Sequence, residues 1–189
     1  MNQGFQTGDV VLIWGKSLDA KFVSFVVSTL FGIKNPATHV QLAMDSKLDL
    51  SAEMKGVELV NREISIKKAK KVIIARHAGM SKEKREELAS IAKQYIGKPY
   101  DYFLYILWYM RVSLLFTLLV WLILQPYHNW LKQRARKSYS CSELVSEILN
   151  KVGFSFGIDD HTNAAPSDIY QVVKACEEWK IIFEKKKVK

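Results

Sequence analysis

The chain has 189 residues, 49% of them hydrophobic, which is enough for one domain with its own core. Its two cysteines, Cys141 and Cys176, exclude a disulfide framework and indicate a reducing compartment. The net charge of +9 favours an anionic partner, but the sequence has no recognisable nucleic-acid-binding module, no glycine-rich phosphate loop and no ligand pair at zinc-site spacing. We therefore expect no metal and no cofactor, and nucleic acid is the least favoured partner.

The first elements along the chain are predicted strands. Residues 1–9 are polar and lack the hydrophobic region of a signal peptide, so we expect a cytoplasmic protein. Val10–Trp14 is a short apolar run bounded by glycines, as in a buried strand. In Thr38–Met44, apolar side chains alternate with a second set that begins with His39. This alternation predicts a strand whose two faces differ.

The later elements are predicted strands and helices in mixed order. Ser81 is a typical N-cap, and Gly97 supplies the stop of the helix that follows it. Strands with flanking helices favour an α+β domain, with an antiparallel sheet or small barrel packed on helices, spanning 1–189. The predicted elements are strands over Val57–Val60 and Lys71–Arg76, helices over Ser81–Ile96, Ser140–Val152 and Pro166–Ala175, and a strand over Lys180–Phe183.

A cysteine lies at the start of one predicted helix. Ser140 followed by Glu143 forms a capping box, which places Cys141 in the first turn. There, unpaired backbone N–H groups and the helix dipole favour thiolate over thiol and can hold an oxyanion during acyl transfer. Cys141 is thus a candidate nucleophile, although a small buried core residue is the alternative.

A thiolate mechanism needs an imidazole within hydrogen-bond reach and an acceptor that fixes the imidazole tautomer. His39 is a candidate base because it lies early in a strand, on the face opposite the apolar residues. Glu53, expected in a loop just before the next strand, is the candidate acceptor. Spacing alone does not choose among the histidines, so the other three remain alternatives, namely His77, His128 and His161.

Several short motifs occur in a characteristic order along the chain. The motifs are Gly8-Asp9, Thr38-His39-Val40, Glu53 ahead of Gly56-Val57, Gly97-Lys98-Pro99-Tyr100-Asp101 and Tyr139-Ser140-Cys141-Ser142-Glu143-Leu144-Val145. This order resembles the circularly permuted branch of the papain-like NlpC superfamily. That branch contains the YiiX-like proteins and, more distantly, enzymes like lecithin:retinol acyltransferase.

The resemblance implies a fold and a set of roles. In unpermuted relatives the cysteine precedes the histidine, whereas here His39 and Glu53 precede Cys141. The implied fold is a permuted papain-like domain, with Cys141 as nucleophile, His39 as base and Glu53 as the residue that orients His39. Tyr139 is the implied tyrosine that shapes the site near the substrate or oxyanion.

A hydrophobic stretch departs from the compact family pattern, and we treat residues 102–137 as an insertion with helical character. Its apolar part is just long enough for one transmembrane helix, and basic residues follow it. A single crossing would put His39 and Cys141 on opposite sides of the bilayer, so we expect a monotopic or peripheral contact. The expected contact residues are Trp108, Tyr109, Arg111, Leu115, Leu119, Trp121 and Leu122.

Three classes of function remain open. The first is a thiol hydrolase or acyltransferase that acts on an amide or ester near an anionic membrane, on a lipid-linked acyl substrate or, alternatively, on a peptidoglycan stem peptide. The second is a membrane-associated binding protein with an inactive papain-like site, and the third is a basic nucleic-acid binder. The hydrophobic insertion is also a candidate interface between copies of the chain.

Overall fold

The computed structural model describes residues 4–101, 138–158 and 165–186, apart from positions 19, 22–23, 26–27 and 29–31. The strands are β1 (Val10–Trp14), β2 (His39–Ala43), β3 (Leu48–Glu53), β4 (Gly56–Asn61), β5 (Lys71–His77) and β6 (Trp179–Lys186). The helices are α1 (Arg62–Lys68), α2 (Lys82–Lys93), α3 (Cys141–Lys151) and α4 (Pro166–Ala175).

In the described part of the chain the strands form one sheet in the order β4-β3-β2-β1-β5-β6. All of its neighbouring strands are antiparallel, so the predicted α+β class and antiparallel sheet are confirmed. The central strand β1 is buried along its whole length, as its uninterrupted apolar run predicts. Among the described residues, no helix combines the length and the apolar character that crossing a bilayer requires.

The main core lies on the sheet face that α3 covers. Alternate residues of the central strands point to this face, including Leu12 and Leu42. Leu144, Ile148 and Leu149 recur at helical spacing on α3 and pack against them in the same cluster. Each such fully buried side chain contributes about 1.5–3 kcal/mol relative to exposure. The start of α3 is thereby fixed against the sheet.

The opposite sheet face carries a smaller apolar cluster and then turns polar. Val11, Ile13 and Ile74 form part of this cluster. The strand register places Gln41 opposite Val11 and His39 opposite Ile13, so these polar side chains share that face. The part of this sheet face at the start of β2 is therefore polar and is not covered by this apolar cluster.

Asp9 of the Gly8-Asp9 motif is fully buried and serves the fold. Its carboxylate accepts two hydrogen bonds from Arg76 on β5, at 2.7 Å from Nε and 2.8 Å from Nη2. Gly8 has a φ of +87°, a conformation that glycine adopts at little cost. The motif therefore ties the N-terminal segment to β5 and has no contact with the cysteine site among the contacts described.

Most predicted elements are confirmed, with two omissions. Ser81 is the N-cap of α2, although the helix ends at Lys93 rather than near Ile96. Helix α1 and strand β3 were not predicted, and the predicted loop position of Glu53 was wrong, because Glu53 is the last residue of β3. The polar residues Asp49, Ser51 and Glu53 occupy alternate positions of β3, and aspartate and glutamate are depleted in strands.

Candidate active site

The pairing of β2 with β3 brings His39 and Glu53 together. Leu42 pairs with Leu50 and Ala43 with Asp49, in an antiparallel register. Continuing this register toward the start of β2 places Gln41 opposite Ser51 and His39 opposite Glu53. Directly opposed side chains in an antiparallel pair lie within contact distance. Two residues that are distant in sequence thus become neighbours through strand pairing.

The His39 imidazole is held on one side by a serine and a carboxylate. Its Nε2 lies 2.7 Å from Ser51 Oγ and 3.2 Å from Glu53 Oε1. The Ser51 hydroxyl donates to Glu53 Oε1 at 2.7 Å, so Nε2–H can donate to either oxygen. With Nε2 occupied in this way, Nδ1 is the nitrogen available to exchange a proton with a thiol. Sequence reasoning missed Ser51, although its i, i+2 spacing from Glu53 was a usable signal.

Cys141 is the first residue of α3, and the predicted capping box is confirmed. The Glu143 backbone N–H donates to Ser140 Oγ at 3.2 Å, and the Ser140 N–H donates to the Glu143 carboxylate at 3.4 Å. The Cys141 side chain is only 7% exposed. It is hydrogen-bonded to the His39 side chain, and the Val40 backbone N–H donates to its sulfur.

The pKa values of the cysteine and the histidine move in opposite directions. Burial alone would raise the pKa of the Cys141 thiol, but the charge and hydrogen bond of His39 hold this pKa below its ordinary value. Burial alone would lower the pKa of His39, yet Cys141 and Glu53 raise it well above the usual range. The arrangement favours a thiolate–imidazolium pair at neutral pH.

The pKa of Glu53 is also displaced. Burial would raise it, but the hydrogen bond and charge of His39, with further hydrogen bonds from Ser51 and Gln41, bring it below the ordinary value. Gln41 contributes its Nε2, which also lies 3.4 Å from Ser51 Oγ. Glu53 is therefore a carboxylate at neutral pH, with its charge directed at His39.

The Gly97–Asp101 segment joins the β3–β4 hairpin to the cysteine. At one end, the Gly97 N–H donates to the Val57 carbonyl and the Val57 N–H to the Lys98 carbonyl, both at 2.8 Å. Gly56 has a φ of +122°, and a Cβ there would lie 2.8 Å from the Lys98 oxygen. Only glycine fits a position with this conformation and this contact.

At its other end, the same segment pairs with the residues that precede Cys141. The Tyr139 N–H donates to the Pro99 carbonyl at 3.0 Å, and the Asp101 N–H donates to the Tyr139 carbonyl at 3.1 Å. Tyr100 and Tyr139 form a parallel bridge. Glu53 and Cys141 are thus both next to backbone that the Gly97–Asp101 segment holds in place.

Tyr139 lies beside the cysteine in sequence, but its ring faces away from the cleft described below. The ring is buried and packs edge-on against Tyr95, with centroids 5.2 Å apart. The Lys98 ammonium lies 5.0 Å from the Tyr139 ring centroid. The role of Tyr139 near a substrate or oxyanion stays a prediction. Tyr100 is the tyrosine that lines the cleft.

A cleft of about 330 Å³ opens beside His39. Both His39 and Glu53 line it, whereas Cys141 is buried and is not among its lining residues. Lys16, Met54 and Lys68 also line the cleft. A substrate in this cleft would lie against the imidazole, which is hydrogen-bonded to the Cys141 side chain.

The other sequence candidates lie elsewhere. His77 is buried, accepts a hydrogen bond from the Gly79 N–H at 3.1 Å and packs against Phe154 and Trp179, so its surroundings are those of a core histidine. The remaining histidines and the expected membrane-contact residues lie outside the described residues, namely His128, His161, Trp108, Tyr109, Arg111, Leu115, Leu119, Trp121 and Leu122.

Comparisons with known proteins show a similar fold in a solved structure. No protein-family model matches the chain, and no curated protein matches it. Among solved structures, it is similar to the metalloprotein YiiX from Escherichia coli O157:H7 (DUF1105), with 22% sequence identity and a TM-score of 0.51. The match covers 78% of this chain and 66% of the YiiX chain, slightly less than two thirds of that protein. The two chains share a fold.

The description of YiiX as a metalloprotein raises the question of a metal site among the described residues of this chain. Within residues 4–101, 138–158 and 165–186, no group of three or more histidine, cysteine, aspartate or glutamate side chains is arranged to hold a metal ion. His39 is instead hydrogen-bonded to both Cys141 and Glu53.

Proposed function

We propose that the protein is a cysteine-dependent hydrolase or acyltransferase that acts on an amide or ester. In this proposal Cys141 is the nucleophile, His39 the general base and acid, and Glu53 the residue that orients His39. The observation that carries the proposal is the continuous hydrogen-bonded series from the Cys141 sulfur through His39 to Ser51 and Glu53. A thiolate activated by a neighbouring imidazolium at a helix N-terminus is the arrangement that acyl transfer requires.

The reaction proceeds in two halves. The Cys141 thiolate attacks the carbonyl carbon, and N–H groups of the first turn of α3 stabilise the resulting oxyanion. The His39 imidazolium then gives its proton to the leaving nitrogen or oxygen as the bond to carbon breaks, which leaves a thioester. Water, or an acceptor amine or hydroxyl, next loses a proton to His39 and attacks the thioester, and the thiolate is released.

The chain order supports a circularly permuted papain-like arrangement. His39 and Glu53 come from β2 and β3, and Cys141 comes from α3 near the other end of the chain. Residues 102–137 interrupt the sequence between Asp101 and Ser138, and the backbone hydrogen bond of Asp101 to Tyr139 supports their assignment as an insertion. This proposal explains why the motifs of the unpermuted enzymes would occur here in the reverse order.

Alkylation by iodoacetamide at pH 6 tests the activated thiol. An ordinary thiol with a pKa of about 8.5 is thiolate in roughly 0.3% of molecules at this pH. We expect Cys141 to react about 100-fold faster than this fraction allows, and His39→Ala to remove that advantage. Peptide mass spectrometry resolves Cys141 from Cys176, which serves as the internal reference. Equal rates at the two cysteines, or indifference to His39→Ala, would indicate an inactive binding protein.

The pH dependence of kcat/KM tests the ion pair once a substrate ester is found. Below the lowered pKa of Cys141 the thiolate is protonated, and above the raised pKa of His39 the imidazolium is lost. The rate should therefore rise, level off and fall with increasing pH. Ser51→Ala removes a hydrogen bond that favours the charged His39, so the alkaline limb should move to lower pH. The plateau should fall about tenfold.

Ser51 is thus a positioning residue, and two variants separate this role from a merely structural one. Ser51→Thr keeps the hydroxyl and should restore the alkaline limb. Ser65→Ala is the matched control, because Ser65 lines the same cleft and lies 3.5 Å from Gln41 Nε2 without contacting His39. An alkaline limb that stays unchanged in Ser51→Ala would contradict the role given to this hydroxyl.

A further inference from the structure

Three separate segments around the cleft each expose a large apolar side chain. Leu18 is 81% exposed, Met54 59% and Ile64 52%. Single exposed apolar residues are ordinary on protein surfaces, but a group of them around one opening indicates an interaction site. These three come from the segment after β1, the β3–β4 turn and α1, so the group is formed by the fold and not by one apolar stretch.

Their positions relate directly to the cleft. Leu18 lies between Ser17 and Ala20, both of which line the cleft, and Met54 lines it itself. Ile64 lies one turn before Lys68 on the same side of α1, and Lys68 is also a lining residue. Met54 therefore lies at the cleft that His39 and Glu53 line, and Leu18 and Ile64 belong to segments that supply other lining residues.

Each of these apolar side chains has a lysine next to it. Lys16 precedes Leu18 by two residues, Lys55 follows Met54, and Lys68 lies one helical turn after Ile64; all three lysines are exposed.

Two carboxylates of these segments are already paired. Glu53 is engaged by His39, and Glu63 is paired with Lys67 at 2.9 Å. The three segments thus carry exposed lysines beside exposed apolar side chains.

We propose that this surface, the rim of Lys16, Leu18, Met54, Lys55, Ile64 and Lys68, docks on an anionic phospholipid membrane. The apolar side chains enter the boundary between headgroups and acyl chains, and the lysine ammonium groups meet lipid phosphates and carboxylates. Lysine suits this place because its long stem packs on apolar surface while its charge stays in the polar layer. The inference rests on the proposed function, since docking by the rim turns the cleft toward the lipid.

A second observation favours lipid over an acidic protein. The most apolar part of the sequence, 102–124, directly follows Asp101 in the chain, and the described residues resume at Ser138. Tyr100 lines the cleft, and the Asp101 N–H is hydrogen-bonded to Tyr139 at 3.1 Å, so both connections lie beside the rim. The described residues that flank this apolar sequence therefore lie beside the rim, and an apolar sequence attached there favours lipid over an acidic protein.

Vesicle flotation of the full chain tests the rim. We expect binding to phosphatidylcholine vesicles that contain roughly one third phosphatidylserine, and weak binding to phosphatidylcholine alone. The variant Lys16→Glu/Lys68→Glu should weaken the apparent Kd at least tenfold, as should Leu18→Ser/Met54→Ser/Ile64→Ser. The matched control is Lys180→Glu/Ile181→Ser, which changes an exposed lysine and an exposed apolar residue on the edge strand β6 far from the cleft. It should bind as the wild type does.

The outcomes separate docking from chemistry. The proposal would be overturned if both rim variants bound vesicles as tightly as the wild type, or if the β6 control lost as much vesicle binding as they do. Preferential binding to soluble polyglutamate over vesicles would also overturn it. Cys141→Ala is expected to bind vesicles normally, because the Cys141 side chain is buried and is not part of the rim. The alkylation of Cys141 is measured without vesicles, so a failure of docking and a failure of the proposed chemistry are distinguishable.

Discussion

Cys141→Ala is expected to lower kcat/KM for an ester or amide substrate by about 10⁴-fold or more. The variant removes the atom that forms the thioester, and removal of the nucleophile from such a set of residues leaves only binding and oxyanion stabilisation. The Cys141 side chain contacts His39 and the Val40 N–H, and alanine fits the same space without strain. The measurement is the initial rate of hydrolysis at the pH optimum, corrected for the buffer-catalysed reaction.

The matched control for this variant is Cys176→Ala, which removes the other thiol and should leave the rate unchanged. His39→Ala alone should cost nearly as much as Cys141→Ala. The double variant should cost little more than either single one, because the two residues act as a unit. Additive losses, or a Cys141→Ala rate above about one tenth of wild type, would contradict a shared role.

Arg62→Met is expected to lower the free energy of unfolding by about 3–5 kcal/mol. Arg62 is 2% exposed and Asp49 is fully buried, and Arg62 Nε donates to Asp49 Oδ1 at 2.7 Å. Nη2 also donates to the Asp45 carbonyl at 2.8 Å, so the guanidinium holds the β2–β3 turn. Methionine would leave the Asp49 carboxylate buried without its cation. Urea unfolding followed by tryptophan fluorescence measures the loss.

Arg62→Met/Asp49→Leu should recover much of that stability, because it removes the charge that Arg62→Met leaves buried. Lys67→Met is the matched control, since it breaks the exposed ion pair with Glu63 on the same helix and should leave the unfolding midpoint unchanged. An Arg62→Met variant as stable as wild type would mean that the pair does not hold β3. Because β3 carries Ser51 and Glu53, the unfolding data also bear on the stability of the site.

Local signals were sufficient to predict the position of Cys141. The capping box at Ser140 and Glu143 and the apolar spacing on α3 involve residues within one or two helical turns, so they are readable from a short stretch of sequence. The apolar run of β1 and the N-cap at Ser81 were readable for the same reason. The choice of His39 among four histidines needed the family resemblance, because no local signal distinguishes it.

The environment of His39 depends on contacts that no short stretch reveals. Its partner Ser51 lies on β3. The polar residues of β3 are not typical of a strand, so the sequence alone does not predict this strand or its pairing with β2. The role of Gly97–Asp101 likewise depends on backbone hydrogen bonds to two distant segments. The sequence motif marked the segment as significant, but only the structure identifies it as the connection between the β3–β4 turn and Tyr139.

The parallel bridge between Tyr100 and Tyr139 has a consequence for how relatives of this chain can diverge. Since the backbone closes into one ladder before Cys141, the intervening stretch begins and ends at adjacent points. Gains or losses of residues there change loop-closure entropy only slowly with length and leave the cysteine helix where it is. We therefore expect relatives of this chain to differ in the length of this stretch while Cys141 keeps its position next to the bridge.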